Sequence, residues 1–255
     1  MIRRFLEHQF LFEELVKRDF KNKYKRTVLG VFWSMLSPLL SLLVMSMVFG
    51  QFFGRTIPHY ISYLLAGQIV FSYFSDATHG GMGSLMANSH IFTKVNVPKY
   101  MFLLSRNISS LMNFSLTFII FLLFALYDGL FFSWKIFLLL FPIICLIAFN
   151  IGVGMILSAL YIFFRDIQYL YSVFTQLLVY CSAIFYNIEI FDAQLRWLFY
   201  LNPVYVYISY FRMIVLQNII PDIYIHLLAF FYAFLSLAIG GYIYKKYNYK
   251  FLYYV

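Results

Sequence analysis

Six stretches of this chain are long, apolar and almost free of charge. They run from about Val28 to Phe53, Ile61 to Met82, Phe102 to Leu126, Ile136 to Leu160, Tyr169 to Tyr186 and Tyr224 to Tyr244. At about 1.5 Å per residue, roughly 20 helical residues cross the ~30 Å hydrocarbon core of a bilayer. A single such run fits the buried helix of a water-soluble fold. Six of them in 255 residues leave too little polar chain to cover them. Only 11% of the residues are charged, against about 25% in an ordinary soluble domain. The expected fold is therefore all-α and polytopic, with six transmembrane helices per chain. Helices suit this setting because each bonds its own backbone groups where no water reaches.

The net charge of +9 would suggest nucleic acid on a soluble protein. Here the basic residues flank the apolar runs, so membrane topology explains them better. With the N-terminus inside, 15 of the 19 Lys and Arg fall on cytoplasmic pieces. Arg55, Lys135, Arg196 and Arg212 are the exceptions. Both termini are then expected in the cytoplasm. The opening segment is broken by charges and lacks the uninterrupted apolar core of a signal peptide. Cys145 and Cys181 lie far apart in apolar runs, which argues against a disulfide framework and against a four-cysteine metal site.

The pieces between the runs differ in kind. Residues 1–27 read as a cytoplasmic amphipathic helix, with Phe5, Phe12, Leu15 and Val16 on one face and Glu7, Glu14, Lys17 and Arg18 toward water. Spans one to five occupy residues 28–186, interrupted by a connector over 83–99. Its spaced apolar residues, Leu85, Met86, Ile91, Phe92 and Val95, fit either a short helix lying across the membrane base or a solvated link. Residues 187–223 form the external piece. It is too apolar for a wet loop and is broken at Asn202–Pro203, so short re-entrant helices are expected, with Asn202 as cap and Pro203 at the first position. Two further spans are the alternative. The sixth span covers 224–244, and a tail follows over 245–255.

Recognisable catalytic patterns are missing. The sequence contains no GxxxxGK[ST], no GxGxxG, no HExxH and no GxSxG. Asp76 is the one acidic residue inside an apolar run, and a carboxylate there is costly enough to be a functional candidate. It could line a cavity, relay a proton or bond locally. Gly152 and Gly154 permit close helix approach. The aromatics Tyr200, Tyr205, Tyr207, Tyr210 and Phe211 fit either an outer interface belt or an exit route where rings stack on sugar faces.

Three stretches carry a family resemblance: LVKRDFKNKYKRTVLGVFWSMLSPLL from Leu15, NSHIFTKVNVPKYMFLLSR from Asn88, and FYLNPVYVYISYFRMIVLQN from Phe199. Together they resemble the permease subunit of ABC-2-type exporters that move polysaccharides across the bacterial inner membrane. In the first pattern Arg18, Asp19, Lys25, Arg26, Gly30, Trp33 and Pro38 stand at the matching positions. The resemblance implies a homodimer of permeases working with two copies of a cytoplasmic ABC ATPase. ATP and Mg2+ would be used by that partner, with no cofactor bound by this chain and no nucleic acid among its partners. It further implies that Asn88, Ser89, His90, Lys94 and Pro98 belong to the region that couples to the ATPase. The cargo would be a lipid-linked glycan such as O-antigen, capsule or teichoic acid precursor. Arg18, Lys25 and Arg26 are the candidates to meet its phosphate head, and the external aromatics the candidates for a gate. Export of a drug or simple lipid, and a membrane-embedded transferase, are the competing readings.

Overall fold

The computed structural model describes residues 8–25, 29–30 and 32–254. The described chain is helical throughout its regular structure. In order, the α-helices are α1 (Gln9–Tyr24), α2 (Phe32–Phe53), α3 (Tyr60–Ala87), α4 (Ser89–Phe92), α5 (Tyr100–Tyr127), α6 (Leu140–Phe163), α7 (Ile167–Cys181), α8 (Ala193–Arg196), α9 (Pro203–Val215) and α10 (Ile223–Tyr247). One tighter helical segment, Trp134–Leu139, leads into α6, and another, Trp197–Leu201, precedes α9.

α3 is the central helix. Eighteen of its 28 residues are buried, more than on any neighbouring helix, and it packs on α2, α5, α6 and α9. α10 lies along α6. Glycine sets the crossing of these two. A Cβ on Gly152 would sit 2.3 Å from the Ser236 carbonyl carbon, and one on Gly240 would sit 2.7 Å from the Gly152 oxygen. α3 meets α6 similarly at Gly81, where a Cβ would lie 3.2 Å from the Gly154 Cα. The close approach expected of Gly152 and Gly154 is therefore present, and it lets backbones touch where side chains would hold them apart.

Four helical stretches among the described residues are long and apolar enough to cross a membrane: Phe32–Phe53, Tyr100–Tyr127, Trp134–Phe163 and Ile223–Tyr247. That is fewer than the six expected from sequence, for two physical reasons. α3 is long enough but carries Ser62, Gln68, Ser72, Ser75, Asp76, Thr78, His79 and Ser84, which lower its apolar character. α7 has 15 residues, or about 22 Å of helix, and stops at Cys181, short of the expected Tyr186. The molecule is an all-α membrane protein with several apolar helices.

The two ends of the bundle are built differently. At the basal end, Leu15 of α1, Phe92 and Val97 of the connector, Met101, Phe102 and Leu103 of α5, and Tyr244 and Phe251 form one apolar cluster. The start and the finish of the described chain therefore share an end. The amphipathic face of α1 is real, but it is directed at protein: Leu11, Phe12 and Leu15 pack into this cluster beside α5. Val16 is half-buried, while Phe5 and Glu7 lie outside the described residues. At the other, distal end, α9 is enclosed by α3, α6, α10 and the Trp134–Leu139 segment.

The connector resolves an open choice. Of the expected 83–99, residues 83–87 continue α3; the rest is one short helical turn, α4, followed by a turn at Thr93 and Lys94 and an irregular approach through Val97 and Pro98 to α5. Before α9, the expected cap is present: the Asn202 side chain accepts from the Val204 N–H at 3.0 Å, with Pro203 at the first helical position.

Candidate functional site

A cavity of about 620 Å³ opens between α1, α2, α3 and α5. Each of the three long helices contributes a stripe at helical spacing. α2 supplies Trp33, Ser34, Ser37 and Pro38; α3 supplies Ile69, Ser72, Tyr73 and Asp76; α5 supplies Ser110, Asn113, Phe114 and Thr117. Steps of three and four residues put each set on one helix face. α1 adds Lys23. The lining thus combines hydroxyls, an amide and three aromatic rings with a single ion pair. Lys23 Nζ lies 2.8 Å from Asp76 Oδ2, and both side chains are partly exposed. Of the three roles open to Asp76 in the sequence, the structure displays the first, a place in a cavity wall.

Behind the cavity, polar groups continue into the bundle. The Tyr73 hydroxyl donates to Asn107 Oδ1 at 2.9 Å. Thr78 Oγ1 accepts from the Tyr171 hydroxyl at 2.6 Å, which ties α7 to α3. Gln68 Nε2 donates to the Pro38 carbonyl at 3.4 Å, bridging α3 to α2 beside the proline.

A second polar site lies one turn earlier on α1. Asp19 is buried at 3% exposure. It accepts from Arg18 Nε and Nη2 at 3.1 and 2.8 Å and from Ser105 Oγ of α5 at 2.9 Å. Arg18 Nη2 also donates to Asn88 Oδ1 at 2.7 Å. Asn88 is itself buried and donates from Nδ2 to the Ser84 carbonyl at 2.7 Å. α1, the connector and α5 therefore meet in one bonded node. Arg18 is partly exposed, and its Nε and Nη2 are bonded to Asp19 and Asn88. Lys25 is exposed at the end of α1, and Arg26 lies outside the described residues.

In the connector, His90 and Lys94 are exposed and Ser89 and Pro98 are half-buried. The far side of this segment is anchored. Lys99 is buried; its ammonium donates to the Asn248 backbone carbonyl and, at 3.2 Å, to Asn248 Oδ1. It also sits 5.6 Å from the Phe92 ring centre and 5.7 Å from that of Phe251. Burial lowers the Lys99 pKa from its ordinary value.

At the distal end Tyr205, Tyr207, Tyr210 and Phe211 are all buried within the protomer. Their partners are internal. The Tyr207 hydroxyl donates to the Ala229 carbonyl at 2.9 Å, Tyr210 shares a hydrogen bond with His226 Nε2 at 2.7 Å, and Phe211 packs edge-on against Phe114 and Phe118. Tyr200 is half-buried, and its carbonyl accepts from the Tyr232 hydroxyl at 2.9 Å. These rings point inward because α9 is wrapped by neighbouring helices, not laid on the surface. Arg212 completes the packing. It donates to the Ala183, Ile184 and Tyr63 carbonyls at 2.8, 2.9 and 3.2 Å, and its guanidinium lies 3.4 Å from the Tyr63 ring centre. Ala183 has φ of +48°, so this clamp holds a turn that a Cβ-bearing residue rarely adopts.

Comparison with known proteins decides the family. The model of the ABC-2 type transporter family matches residues 11–216, which takes in most of α1, the connector, the cavity and α9. The chain belongs to the ABC-2 type transporter family. It is 28% identical over 251 residues to an O-antigen export system permease protein of Klebsiella pneumoniae, covering 95% of both chains. A permease of the same description from Myxococcus xanthus is 27% identical, covering 87% of this chain and 86% of its own. A polysialic acid transport protein of Escherichia coli is 25% identical, covering 91% and 92%. The likeness to these export and transport proteins thus extends over nearly the whole chain. Among the described residues, no group of three or more His, Cys, Asp or Glu is placed to hold a metal ion.

Proposed function

We propose that this ABC-2 permease carries a lipid-linked polysaccharide, of the O-antigen or capsule kind, from the cytoplasmic to the outer side of a bacterial inner membrane. The observation that carries this reading is the cavity: hydroxyl and amide groups beside aromatic rings, with a lysine at one edge. Hydroxyls and amides exchange hydrogen bonds with sugar hydroxyls, flat rings stack on sugar faces, and a cation meets a phosphate. The full-length likeness to permeases described as exporting O-antigen and transporting polysialic acid points the same way.

In this reading the basal end is cytoplasmic, which keeps most Lys and Arg inside. The chain crosses the membrane six times, through α2, α3, α5, α6, α7 and α10. The polar residues of α3 are compatible with a crossing because most of that helix is buried among its neighbours. α9 would be a re-entrant element held at depth by shielding protein. A second copy would pack against α2, which buries only Leu42 within its own chain and exposes Leu40, Leu43, Val44, Met47, Val48 and Phe52. Two ATPase subunits, using ATP and Mg2+, would press on the connector at Ser89, His90 and Lys94, with Asn88 and Pro98 as its fixed ends. Lys25 would stand at the entrance, and the aromatics from Tyr200 to Phe211 would brace the exit end.

The test is deletion of the gene in its host, followed by location of the polymer. The expected result is completed lipid-linked glycan held on the cytoplasmic leaflet. Normal surface polymer, in a strain with no second exporter, rejects the reading.

A further inference from the structure

The two carboxylates that meet α1 differ in a telling way. Asp19 is buried and accepts from Arg18 and Ser105, as a structural anion does. Asp76 is the one acidic residue of α3, faces the cavity, and bonds to Lys23. Its side chain is 41% exposed and that of Lys23 38%. An ion pair so open contributes little to stability, yet it places a carboxylate in the cavity wall of the central helix where none is needed for packing.

The pair is also easily parted. Lys23 lies in the last turn of α1, which ends at Lys25 in extended backbone. A lysine is a compact charge on a flexible stem and can turn toward a new anion without moving its helix. Ser37 and Ser72 of the same cavity supply hydroxyl donors nearby. A pyrophosphate group brings two negative charges and several acceptor oxygens where Asp76 offers one charge. It is the stronger partner for the same ammonium.

We infer that Lys23 and Asp76 form a latch: the pyrophosphate head of a lipid-borne substrate takes the place of Asp76 on Lys23, and Asp76 reclaims the lysine when the head departs. Asp76 is thereby an internal competitor. It weakens capture enough for release, the balance that conduction through any site requires. The inference rests on the proposed function for the identity of the cargo.

The test measures binding of a fluorescent polyprenyl pyrophosphate to the permease–ATPase complex in phosphatidylcholine nanodiscs. Asp76→Asn should tighten binding by roughly 10-fold and Lys23→Gln weaken it by roughly 10-fold, each reflecting one charge-assisted contact. Asp76→Asn placed on Lys23→Gln should give no gain, because the competitor then has nothing to compete for. Lys23→Arg should keep binding, which separates lost charge from lost folding. Equal affinity in wild type and Asp76→Asn overturns the latch, as does displacement of the probe by equimolar phosphatidylglycerol, which would make bulk lipid the occupant. The deletion experiment reads the function independently. Loss of surface polymer with binding indifferent to both residues removes the latch alone. Intact surface polymer with the expected binding pattern removes the cargo assignment alone.

Discussion

Arg18 on α1 donates to Asn88, the residue that closes α3, across 2.7 Å. The same arginine holds Asp19, which in turn is held by Ser105 of α5. The connector is thereby bonded to α1 at Arg18, little more than a turn before Lys23. Arg18→Ala and Asn88→Ala should each lower transport per ATP hydrolysed by the complex. Thermal unfolding of the single and double variants should give a coupling energy of about 1–2 kcal/mol, the range for a charge-assisted hydrogen bond in partly buried surroundings. Additive effects would show that the contact carries no energy.

Arg212 is the buried cation of the distal end, and three carbonyls depend on it. Arg212→Met should destabilise the protein by roughly 3 kcal/mol or more, since it strands buried acceptors. Arg212→Lys should recover only part, because an ammonium cannot reproduce the planar fork or the ring stacking. Gly67→Ala should act alike: its Cβ would lie 2.7 Å from Arg212 Nη2. Unfolding midpoints of the three purified variants check this order.

The α6–α10 crossing leaves no room for a methyl group. Gly152→Ala should cost about 3 kcal/mol, near the upper range for forcing atoms into a packed interior. The obstruction is backbone of Ser236 and Leu237, which cannot rotate away. Gly241→Ala is the matched control, because nothing lies within 4 Å of its Cβ position. Equal midpoints for the two would refute the close crossing.

Lys99 gives a pH dependence with a definite sign. Burial lowers its folded-state pKa below the usual 10.5. Between those two values the unfolded chain binds more protons, so stability rises with pH there. Below the folded-state value both states are charged and the burial cost is constant. The unfolding midpoint of wild type, measured against Lys99→Met, should therefore improve as pH climbs toward 10.5. A flat or falling difference contradicts the assignment.

Much of this was legible beforehand where a residue's chemistry acts locally. Asn202 and Pro203 announce a helix start because a cap and a fixed φ operate within one turn. Gly152 announced a close approach, though not that Ser236 would fill it. The cavity stripes were present too, as Ser34–Ser37, Ser72–Asp76 and Ser110–Asn113–Thr117 at steps of three and four. Their convergence was not legible, because periodicity gives each helix a face and says nothing of what that face meets. Arg18 shows the same limit. Its charge suggested a phosphate partner and gave no sign that Asp19 beside it and Asn88, 70 positions away, would accept from its Nε and Nη2. The tyrosines of α9 fitted either an outer interface belt or an exit route, because a run of rings does not say which surface each one meets. Ala229 and His226 satisfy two of those hydroxyls inside the bundle.

The glycine-mediated contact of α6 with α10 and the single buried residue of α2 have a joint consequence. Backbones that touch cannot slide or tilt without collision, so α6 and α10 form a stiff spine. α2 is a leaf hung on that frame through α3 and α5, with Leu42 as its only fully buried peg. The cavity lies between the leaf and the α3 and α5 faces it hangs from. Its width depends on the placement of the one wall that is least tied to the rest of the fold, so a displacement of α2 alone would reshape the opening without disturbing α6 and α10.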